Sequence, residues 1–187
     1  VLDSEDADTI YSTKNFNCKL VYQSGKGFGN ALIDGIRNAQ TEYLCTFFAD
    51  GSCDPKYLKQ MLNLCSNDRD FIFASRYLKG ARSDDDTIIT KIGNFFFSTF
   101  GNIFFSIKLS DILYTYIVGK TESFKKLDLD SNDFSICVEI PIKAKKMNLD
   151  YIDTPVIERK RIAGKKNVNE ILDGFKILIY MIKNFFK

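Results

Sequence analysis

Histidine and tryptophan are absent from this chain of 187 residues. Without histidine, the chain cannot build a Ser-His-Asp triad, a Cys-His dyad or a histidine-ligated zinc site. Acid–base or metal chemistry must therefore use carboxylates, lysines, tyrosines or cysteines. The length is that of about one domain and is sufficient to bury a core, and phenylalanine is abundant, with 17 residues.

The five cysteines are odd in number, and no two of them are spaced as Cys-x-x-Cys. This pattern argues against a zinc ribbon and against a secreted disulfide framework, so we expect a reducing, cytosolic compartment. The sequence begins at Val1 with neither an initiator methionine nor a signal peptide. We therefore expect the N-terminus to be incomplete.

Charge is distributed unevenly, although the net charge of +2 is too small to indicate nucleic-acid binding. Residues 1–139 carry 15 Lys and Arg against 19 Asp and Glu, whereas residues 140–187 carry 11 against 5. An acidic front and a basic tail suggest cation binding in the first part and binding of phosphate or anionic lipid in the second.

Apolar runs and helical patterns alternate along the first half of the chain. Residues 18–22, 43–48 and 71–75 are predicted strands, and the last two of these runs are apolar enough for strands buried on both faces. A helix is predicted after the glycine-rich turn at 25–29, and another after Asp54-Pro55. The alternation predicts an α/β sheet with helices on its faces.

Ligands of such sheets bind at the carboxyl ends of the strands. Here those ends carry Asp3, Asp50 and Arg76, counting Val1-Leu2 as the end of a strand. Residues 81–86, which end in three aspartates, are interpreted as a solvated loop.

Two later segments are strongly apolar. Residues 92–107 are too short and too interrupted by glycine and asparagine to predict a transmembrane helix. Residues 169–187 have helical apolar periodicity, with lysines on the other faces. This amphipathic helix could pack on the sheet or lie on a membrane surface, and 92–107 could be core or membrane contact.

Six short motifs follow one another in a definite order. They are Val1-Leu2-Asp3-Ser4, Gly25-Lys26-Gly27-Phe28-Gly29-Asn30-Ala31 with Gly35, Phe47-Phe48-Ala49-Asp50-Gly51-Ser52-Cys53-Asp54-Pro55, Ala74-Ser75-Arg76-Tyr77, Glu139-Ile140-Pro141-Ile142-Lys143-Ala144, and Arg159-Lys160-Arg161 with Gly164-Lys165-Lys166. In this order they resemble family 2 glycosyltransferases of the GT-A fold, with dolichyl- or polyprenyl-phosphate sugar synthases as the most similar branch.

The resemblance implies a single domain over residues 1–187, with a Rossmann-like, mixed and mostly parallel sheet flanked by helices. The family's first strand, which ends in Pro-x-Tyr-Asn-Glu, is missing, so we expect a domain that lacks this strand. Phe48 stands where the family's Asp-x-Asp motif has its first aspartate, and Ser4 replaces one aspartate of a pair. The family's Asp-x-Thr-Ser-Gly-Phe segment is represented by residues 111–116, which keep the aspartate but lose the small residues.

For the nucleotide-sugar, the resemblance implies that Asp3 binds the nucleobase, that Lys26 and Arg76 approach phosphate, and that Asp50 binds the diphosphate and the metal. Mg²⁺ and Mn²⁺ need few protein ligands when phosphate oxygens supply the rest, so one aspartate can suffice. The alternatives are a solvated acid at Asp3, a solvated lysine at Lys26, a turn cap at Asp50 and an arginine at Arg76 that simply pairs with a carboxylate.

On the acceptor side, Asp111 is the candidate general base for a hydroxyl acceptor, whereas an anionic lipid phosphate would need no base. The candidate ligands for the diphosphate or the lipid phosphate are Arg159, Arg161, Lys165 and Lys166. The alternative is a solvated basic face.

We therefore expect a hexosyltransferase-type enzyme that moves a sugar from a UDP- or GDP-sugar to a polyprenyl phosphate or cell-envelope glycan, assisted by Mg²⁺ or Mn²⁺. We expect a cytoplasmic protein at the inner face of the membrane, with no nucleic-acid partner. The alternative function is a degenerate GT-A domain that binds or scaffolds without turnover, an interpretation motivated by Phe48 and by the missing strand.

Overall fold

The computed structural model describes residues 1–162 and 168–186. Within these ranges, the α-helices are α1 (Ala7–Thr13), α2 (Phe28–Asn38), α3 (Leu58–Ser66), α4 (Ile88–Phe105), α5 (Thr121–Lys126), α6 (Ile136–Lys146) and α7 (Glu170–Phe185). The strands are β1 (Tyr43–Thr46), β2 (Phe71–Ser75), β3 (Arg82–Ser83), β4 (Ile117–Lys120), β5 (Tyr151–Pro155) and β6 (Ile157–Glu158). A 3₁₀ turn at Pro55–Tyr57 leads into α3.

The main sheet of the described residues has the strand order β1-β4-β2-β5. Strands β2 and β5 are parallel, whereas β4 runs antiparallel to both of its neighbours, β1 and β2. The strands β1, β2 and β5 therefore point the same way, and their carboxyl ends meet the amino end of β4 at one end of the sheet. A short second sheet pairs β3 with β6 in parallel.

Strand β2 is buried along its whole length, which confirms the prediction for residues 71–75. Because side chains alternate along a strand, Phe71 and Phe73 enter one hydrophobic cluster, whereas Ile72 and Ala74 enter the other. The sheet thus separates two cores, as expected for strands covered by helices on both faces.

The predicted buried strand at 43–48 is shorter and more exposed than the sequence suggested. Strand β1 ends at Thr46, and the Phe47 side chain is 42% exposed. The reason is position, because β1 lies at the edge of the sheet and has a neighbouring strand on one side only.

The predicted strand at 18–22 is reduced to a single parallel bridge between Leu2 and Tyr22. In this bridge the Leu2 amide donates to the carbonyl of Val21 at 2.8 Å, and the Gln23 amide donates to the carbonyl of Leu2 at 2.9 Å. Val1-Leu2 is thus paired as the sequence analysis expected, but over one bridge rather than a ladder.

Helices α4 and α7 account for the two apolar segments. Helix α4 begins with a reciprocal capping box between Thr87 and Thr90, and α7 begins where the side chain of Asn169 accepts from the Leu172 amide at 3.1 Å. The rings of Phe104 and Phe185 meet edge to face near the ends of the two helices. No helix in residues 1–162 and 168–186 combines the length and the apolarity needed to cross a membrane.

Two glycine-to-alanine substitutions test the packing of the sheet. A Cβ at Gly119 in β4 would lie 2.4 Å from Phe71 Cδ1 and 2.7 Å from Phe124 Cε2, whereas a Cβ at Gly93 in α4 would meet nothing within 4 Å. We expect Gly119→Ala to lower the free energy of unfolding by about 1–3 kcal/mol through overpacking. Gly93→Ala should raise it by about 0.5–1 kcal/mol, because alanine is the better helix former.

Urea unfolding of both variants and of the unsubstituted chain measures these differences. Equal unfolding midpoints for the two variants would contradict the close packing of β4 against Phe71.

Candidate functional site

Four chain segments meet where the carboxyl ends of the three co-directional strands gather. The turn at 47–54 follows β1, Arg76 follows β2, Glu158 ends the segment after β5, and residues 110–116 precede β4. This is the end of an α/β sheet at which ligands bind. It carries both acidic and basic side chains.

Arg76 lies at the centre of this region, and its guanidinium is bound by carboxylates. Its Nε lies 2.7 Å from Asp111 Oδ2 and one terminal nitrogen lies 3.0 Å from Asp111 Oδ1, which is a bidentate pair. The other terminal nitrogen lies 3.1 Å from Asp86 Oδ1 and 3.3 Å from Glu158 Oε2. The side chain of Arg76 is 10% exposed and that of Asp111 is fully buried.

Aromatic rings close over the guanidinium. The Arg76 Cζ atom lies 4.4 Å from the ring centroid of Tyr114 and 5.4 Å from that of Tyr77. The hydroxyl of Tyr77 donates to Asp86, and the hydroxyl of Ser83 donates to Glu158. Asp86 and Glu158 therefore have hydrogen-bond donors in addition to Arg76, as buried charges require.

One cation faces three carboxylates in this cluster, and the pKa values reflect that imbalance. Burial by itself would lower the pKa of Arg76, but the carboxylates of Asp111, Glu158 and Asp86 together outweigh it and the pKa is raised. Burial raises the pKa of Glu158, although Arg76 opposes this shift. In this arrangement the guanidinium of Arg76 is directed at carboxylates, which is the alternative that the sequence analysis kept open beside phosphate binding.

Asp50 lies in the turn after β1, and Gly51 takes a left-handed conformation there at φ 83°. Asp50 Oδ1 accepts from the Ser52 amide at 2.9 Å, which is the turn-capping contact considered above. The Asp50 side chain is partly exposed to solvent, and its other carboxylate oxygen, Oδ2, lies 3.5 Å from a guanidinium nitrogen of Arg161.

Arg161 belongs to residues 159–162, which we call the basic strap. The strap is bound along the Asp50 turn by backbone hydrogen bonds, since the amide of Arg159 donates to the carbonyl of Ser52 at 2.9 Å and the amide of Ile162 donates to the carbonyl of Asp50 at 2.8 Å. The predicted acidic and basic groups are thus brought together.

The two arginines of the basic strap have different carboxylate partners. Arg159 pairs with Asp54, which also holds Lys56 at 3.1 Å. The terminal nitrogen of Arg161 that faces Asp50 also lies 3.7 Å from Asp85 Oδ2. Lys165 and Lys166 lie outside the described residues.

Phe48 packs among aromatic rings beside this turn. Its ring centroid lies 6.0 Å from that of Phe28 and 6.4 Å from that of Tyr114. The position of the missing motif aspartate is therefore filled by a half-buried hydrophobic contact.

The remaining residues predicted to bind the nucleotide-sugar, Asp3 and Lys26, lie in the N-terminal part of the chain. Asp3 Oδ1 accepts from the Glu5 amide at 3.0 Å, and Asp3 is exposed beside the Leu2–Tyr22 bridge. Lys26 is exposed in the glycine-rich turn.

The glycine-rich turn is held in place by the helix that follows it and by a loop at residues 131–132. From helix α2, the carboxylate of Asp34 accepts from the Ser24 amide at 2.6 Å. The amide of Gly29 donates to the carbonyl of Asn132 in the loop at 3.0 Å, and a Cβ at Gly29 would lie 2.1 Å from the carbonyl oxygen of Ser131. The buried Glu139 fixes this loop by accepting from the Ser131 amide at 2.9 Å.

A divalent cation is compatible with the residues present at the Asp50 turn. Asp50 and Asp85 direct carboxylate oxygens at the same cationic nitrogen, and Mg²⁺ or Mn²⁺ is commonly held by one or two carboxylates together with substrate phosphates. The described residues contain no group of three or more His, Cys, Asp or Glu side chains suited to a metal ion. The fit therefore depends on phosphate oxygens from a donor.

Sequence reasoning missed Asp85, Asp86, Glu158, Tyr77 and Tyr114. The aspartates were interpreted as part of a solvated loop, and nothing in the sequence showed that β3 pairs with β6 and brings this loop to the strap. The signal that was available is the run of three aspartates directly before a helix start.

Solved structures with the same fold include glucosyl-3-phosphoglycerate synthase from Mycobacterium tuberculosis in complex with UDP. The TM-score is 0.62 at 10% identity, over 86% of this chain and 56% of that chain. Mannosyl-3-phosphoglycerate synthase from Rubrobacter xylanophilus has a TM-score of 0.52 at 13% identity, over 84% and 50% of the two chains. The fold is that of GT-A glycosyltransferases, as the sequence analysis expected.

Sequence comparison defines the family. The model of glycosyl transferase family 2 matches residues 4–128. The low-salt glycan biosynthesis hexosyltransferase Agl6 of Haloferax volcanii is 24% identical over 168 residues, which are 88% of this chain and 40% of that protein. An uncharacterized protein of Methanocaldococcus jannaschii is 25% identical over 163 residues, which are 84% and 67% of the two chains. The chain belongs to glycosyl transferase family 2, and it spans about two fifths of the length of Agl6.

Replacement of Arg76 tests the buried cluster. We expect Arg76→Met to lower the free energy of unfolding at pH 7 by about 3–5 kcal/mol, because buried carboxylates lose their cation. The folded-state pKa of Glu158 is already raised by burial and should rise further in the variant. A carboxyl whose pKa is raised by folding takes up its proton in the folded state first, so stability rises as the pH falls through the raised pKa, and the deficit should shrink between pH 7 and pH 5.

Urea unfolding at the two pH values gives both quantities. Arg69→Met is the matched control, because Arg69 pairs with the exposed Asp150 at 3.1 Å and should contribute less than about 1 kcal/mol. If both variants lose the same stability, Arg76 does not hold the segments of Asp86, Asp111 and Glu158 together.

Proposed function

We propose that this chain is a GT-A domain that transfers a hexose from a nucleoside-diphosphate sugar to an acceptor. The observation that carries the proposal is the meeting of Asp50 and the basic strap at the carboxyl end of the sheet. Membership of family 2 supports a transferase, and the complexes of structural neighbours with UDP support a nucleotide-sugar donor. The name of Agl6 supports a hexose as the transferred group.

The chemistry needs a stabilised diphosphate leaving group. Arg161 provides positive charge beside Asp50 and Arg159 provides it beside Asp54, and guanidinium groups bind phosphate oxygens bidentately. A divalent cation held by Asp50 would supply Lewis-acid stabilisation of the diphosphate. A neighbour crystallised with Mn²⁺, UDP and glucosyl-3-phosphoglycerate supports a cation of this kind. We propose Lys26 as a further phosphate contact and Asp3 as the nucleobase contact.

For the acceptor, the surroundings of Asp111 favour an anionic phosphate over a hydroxyl. Both oxygens of Asp111 are bound by Arg76, and its side chain is fully buried. In this state Asp111 has no route to a hydroxyl proton, whereas a phosphate acceptor is already ionised and needs no base. We therefore propose a polyprenyl phosphate as the acceptor, with Asp111 and Arg76 as positioning residues. The basic strap and the lysines at 165 and 166 would bind the acceptor phosphate.

Donor binding is tested with Asp50→Asn. We expect calorimetry with Mn²⁺ to show binding of UDP or GDP to the unsubstituted chain and at least about tenfold weaker binding to the variant, because the amide lacks the charge that holds a cation. The control Asp8→Asn changes an exposed aspartate of α1 and should leave the affinity unchanged.

Failure of the unsubstituted chain to bind either nucleotide would sink the proposal. Binding without hydrolysis or transfer from any UDP- or GDP-hexose would instead support the alternative, a degenerate module. Phe48 motivates that alternative, because its aromatic packing fills the place of a motif aspartate.

A lipid acceptor would require contact with a membrane surface, and helices α4 and α7 offer a suitable apolar face. Their exposed large apolar side chains are Ile88, Ile89, Ile92, Phe95, Phe96, Ile103, Phe104, Ile171, Leu172, Phe175, Ile179, Ile182, Phe185 and Phe186. In soluble proteins, a large exposed apolar patch marks an interaction site. Lysines 91, 176 and 183 flank it and would favour anionic lipid. We propose peripheral attachment to the cytoplasmic leaflet through this face.

Vesicle co-sedimentation tests the attachment. We expect the chain to bind vesicles that contain anionic phospholipid, and Phe95→Glu combined with Phe175→Glu to reduce binding at least about tenfold by placing charge on the apolar face. Both side chains are largely exposed, at 74% and 65%, so the fold should tolerate the change. Phe16→Glu alters an equally exposed phenylalanine outside both helices and is the control. Equal binding of all variants would contradict the proposal.

A further inference from the structure

The guanidinium of Arg161 lies between two carboxylates from distant parts of the sequence. One of its terminal nitrogens is 3.5 Å from Asp50 Oδ2 and 3.7 Å from Asp85 Oδ2. The backbone amide of Arg161 also donates to Asp85 Oδ1 at 3.3 Å, so the loop before α4 and the basic strap are joined through this aspartate. All three side chains keep between a fifth and a quarter of their surface exposed.

We propose that Asp85 shares the donor-site cation with Asp50, and that Arg161 occupies the place of that cation while no donor is bound. This inference rests on the proposed function. Asp85 then plays the role of the motif aspartate that Phe48 replaces. Arg161 pairs with the two carboxylates before the donor binds, and with the diphosphate once the donor and the cation have bound.

The balance of charge between the two carboxylates and Arg161 supports this assignment. Asp50 and Asp85 would repel each other without a cation between them, and Arg161 supplies that charge in the ligand-free chain. A divalent cation at the same place neutralises both carboxylates and leaves Arg161 beside the phosphate oxygens that complete the cation's coordination. The exchange therefore keeps every charge paired before and after the donor binds.

Arg161 differs from Arg76 in the length of its contacts with carboxylates. A well-formed guanidinium–carboxylate hydrogen bond measures about 2.7–2.9 Å, as at Arg76 and Asp111, whereas both contacts of Arg161 exceed 3.4 Å. Arg161 is also partly exposed, whereas Arg76 is closed in by Tyr77 and Tyr114. Arg161 is therefore the arginine that a competing cation can displace at least cost.

The backbone of the basic strap can stay in place during this exchange. Its hydrogen bonds to the carbonyls of Asp50 and Ser52 involve no side chain of Arg161. Gly51 makes this close approach feasible, because a Cβ there would lie 2.6 Å from the Cδ1 atom of Ile162. Only the long side chain of Arg161 has to change its direction.

The test uses Mn²⁺ alone as a first probe and UDP with Mn²⁺ as a second probe, on the 187-residue chain. Free Mn²⁺ is followed by electron paramagnetic resonance, and UDP binding by calorimetry. We expect Arg161→Gln to bind Mn²⁺ alone about threefold to fivefold more tightly, because a competing, partly exposed ion pair is removed. The same variant should bind UDP with Mn²⁺ at least about tenfold more weakly, because a charged phosphate contact is lost.

Asp85→Asn should weaken Mn²⁺ binding about threefold or more in both conditions, because the cation loses a charged ligand. Arg82→Gln and Asp84→Asn are the matched controls. These residues form an exposed ion pair of their own, 3.0 Å long, in the same segment and should change neither affinity. Urea unfolding of each variant checks that its fold is retained.

The inference is overturned if Arg161→Gln binds Mn²⁺ no more tightly than the unsubstituted chain, or if Asp85→Asn behaves like Asp84→Asn. If the unsubstituted chain binds UDP or GDP in that case, the proposed function stands and only the exchange is wrong. If it binds neither nucleotide, both are wrong.

Discussion

The contact on which this structure depends is the bidentate pair between Arg76 and Asp111, with Asp86 and Glu158 on the remaining guanidinium nitrogen. It joins the end of β2, the segment before β4, the loop before α4 and the end of β6 at one point. Burying these charges is costly unless all partners are present, so the cluster specifies one arrangement of the four segments rather than adding much stability. The neighbouring pair of Ser110 and Ser75, whose hydroxyls lie 2.6 Å apart, holds the same segments together.

This rigid cluster and the looser basic strap have different consequences for function. Arg76 has short contacts and aromatic rings on its guanidinium, so it can hold geometry but has little freedom to bind a substrate. Arg161 has long contacts and partial exposure, so it can change partners. A site that binds a highly charged donor needs both properties, namely a fixed frame and adjustable countercharges.

The sequence was sufficient to predict elements whose burial leaves a regular pattern along the chain. Strand β2 was found because burial on both faces leaves a continuous apolar run, and α7 was found from its helical periodicity. The end of β1 was missed, because whether Phe47 is buried depends on the strand's place at the sheet edge, which no local pattern encodes.

The candidate site was likewise predictable in part. Asp50 and Arg161 belong to two of the motifs, and the structure places their side chains 3.5 Å apart, while their binding roles stay predictions. Asp85 and Glu158 were not identified, because they reach the site only through the parallel pairing of β3 with β6. Both strands are two residues long, so their pairing has almost no signature in the sequence.

The burial of Asp111 links the fold to the acceptor. A carboxylate can act as a base only if it is reached by the hydroxyl and is free to take its proton, and Asp111 is held on both oxygens by Arg76. The same aspartate is needed to neutralise Arg76, so freeing it for catalysis would leave that cation buried with weaker partners. The polyprenyl phosphate that we propose as the acceptor arrives already ionised and needs no such base. The exposed apolar residues of α4 and α7, the first of which begins directly after the Asp86 loop, form the face that we propose for contact with its membrane.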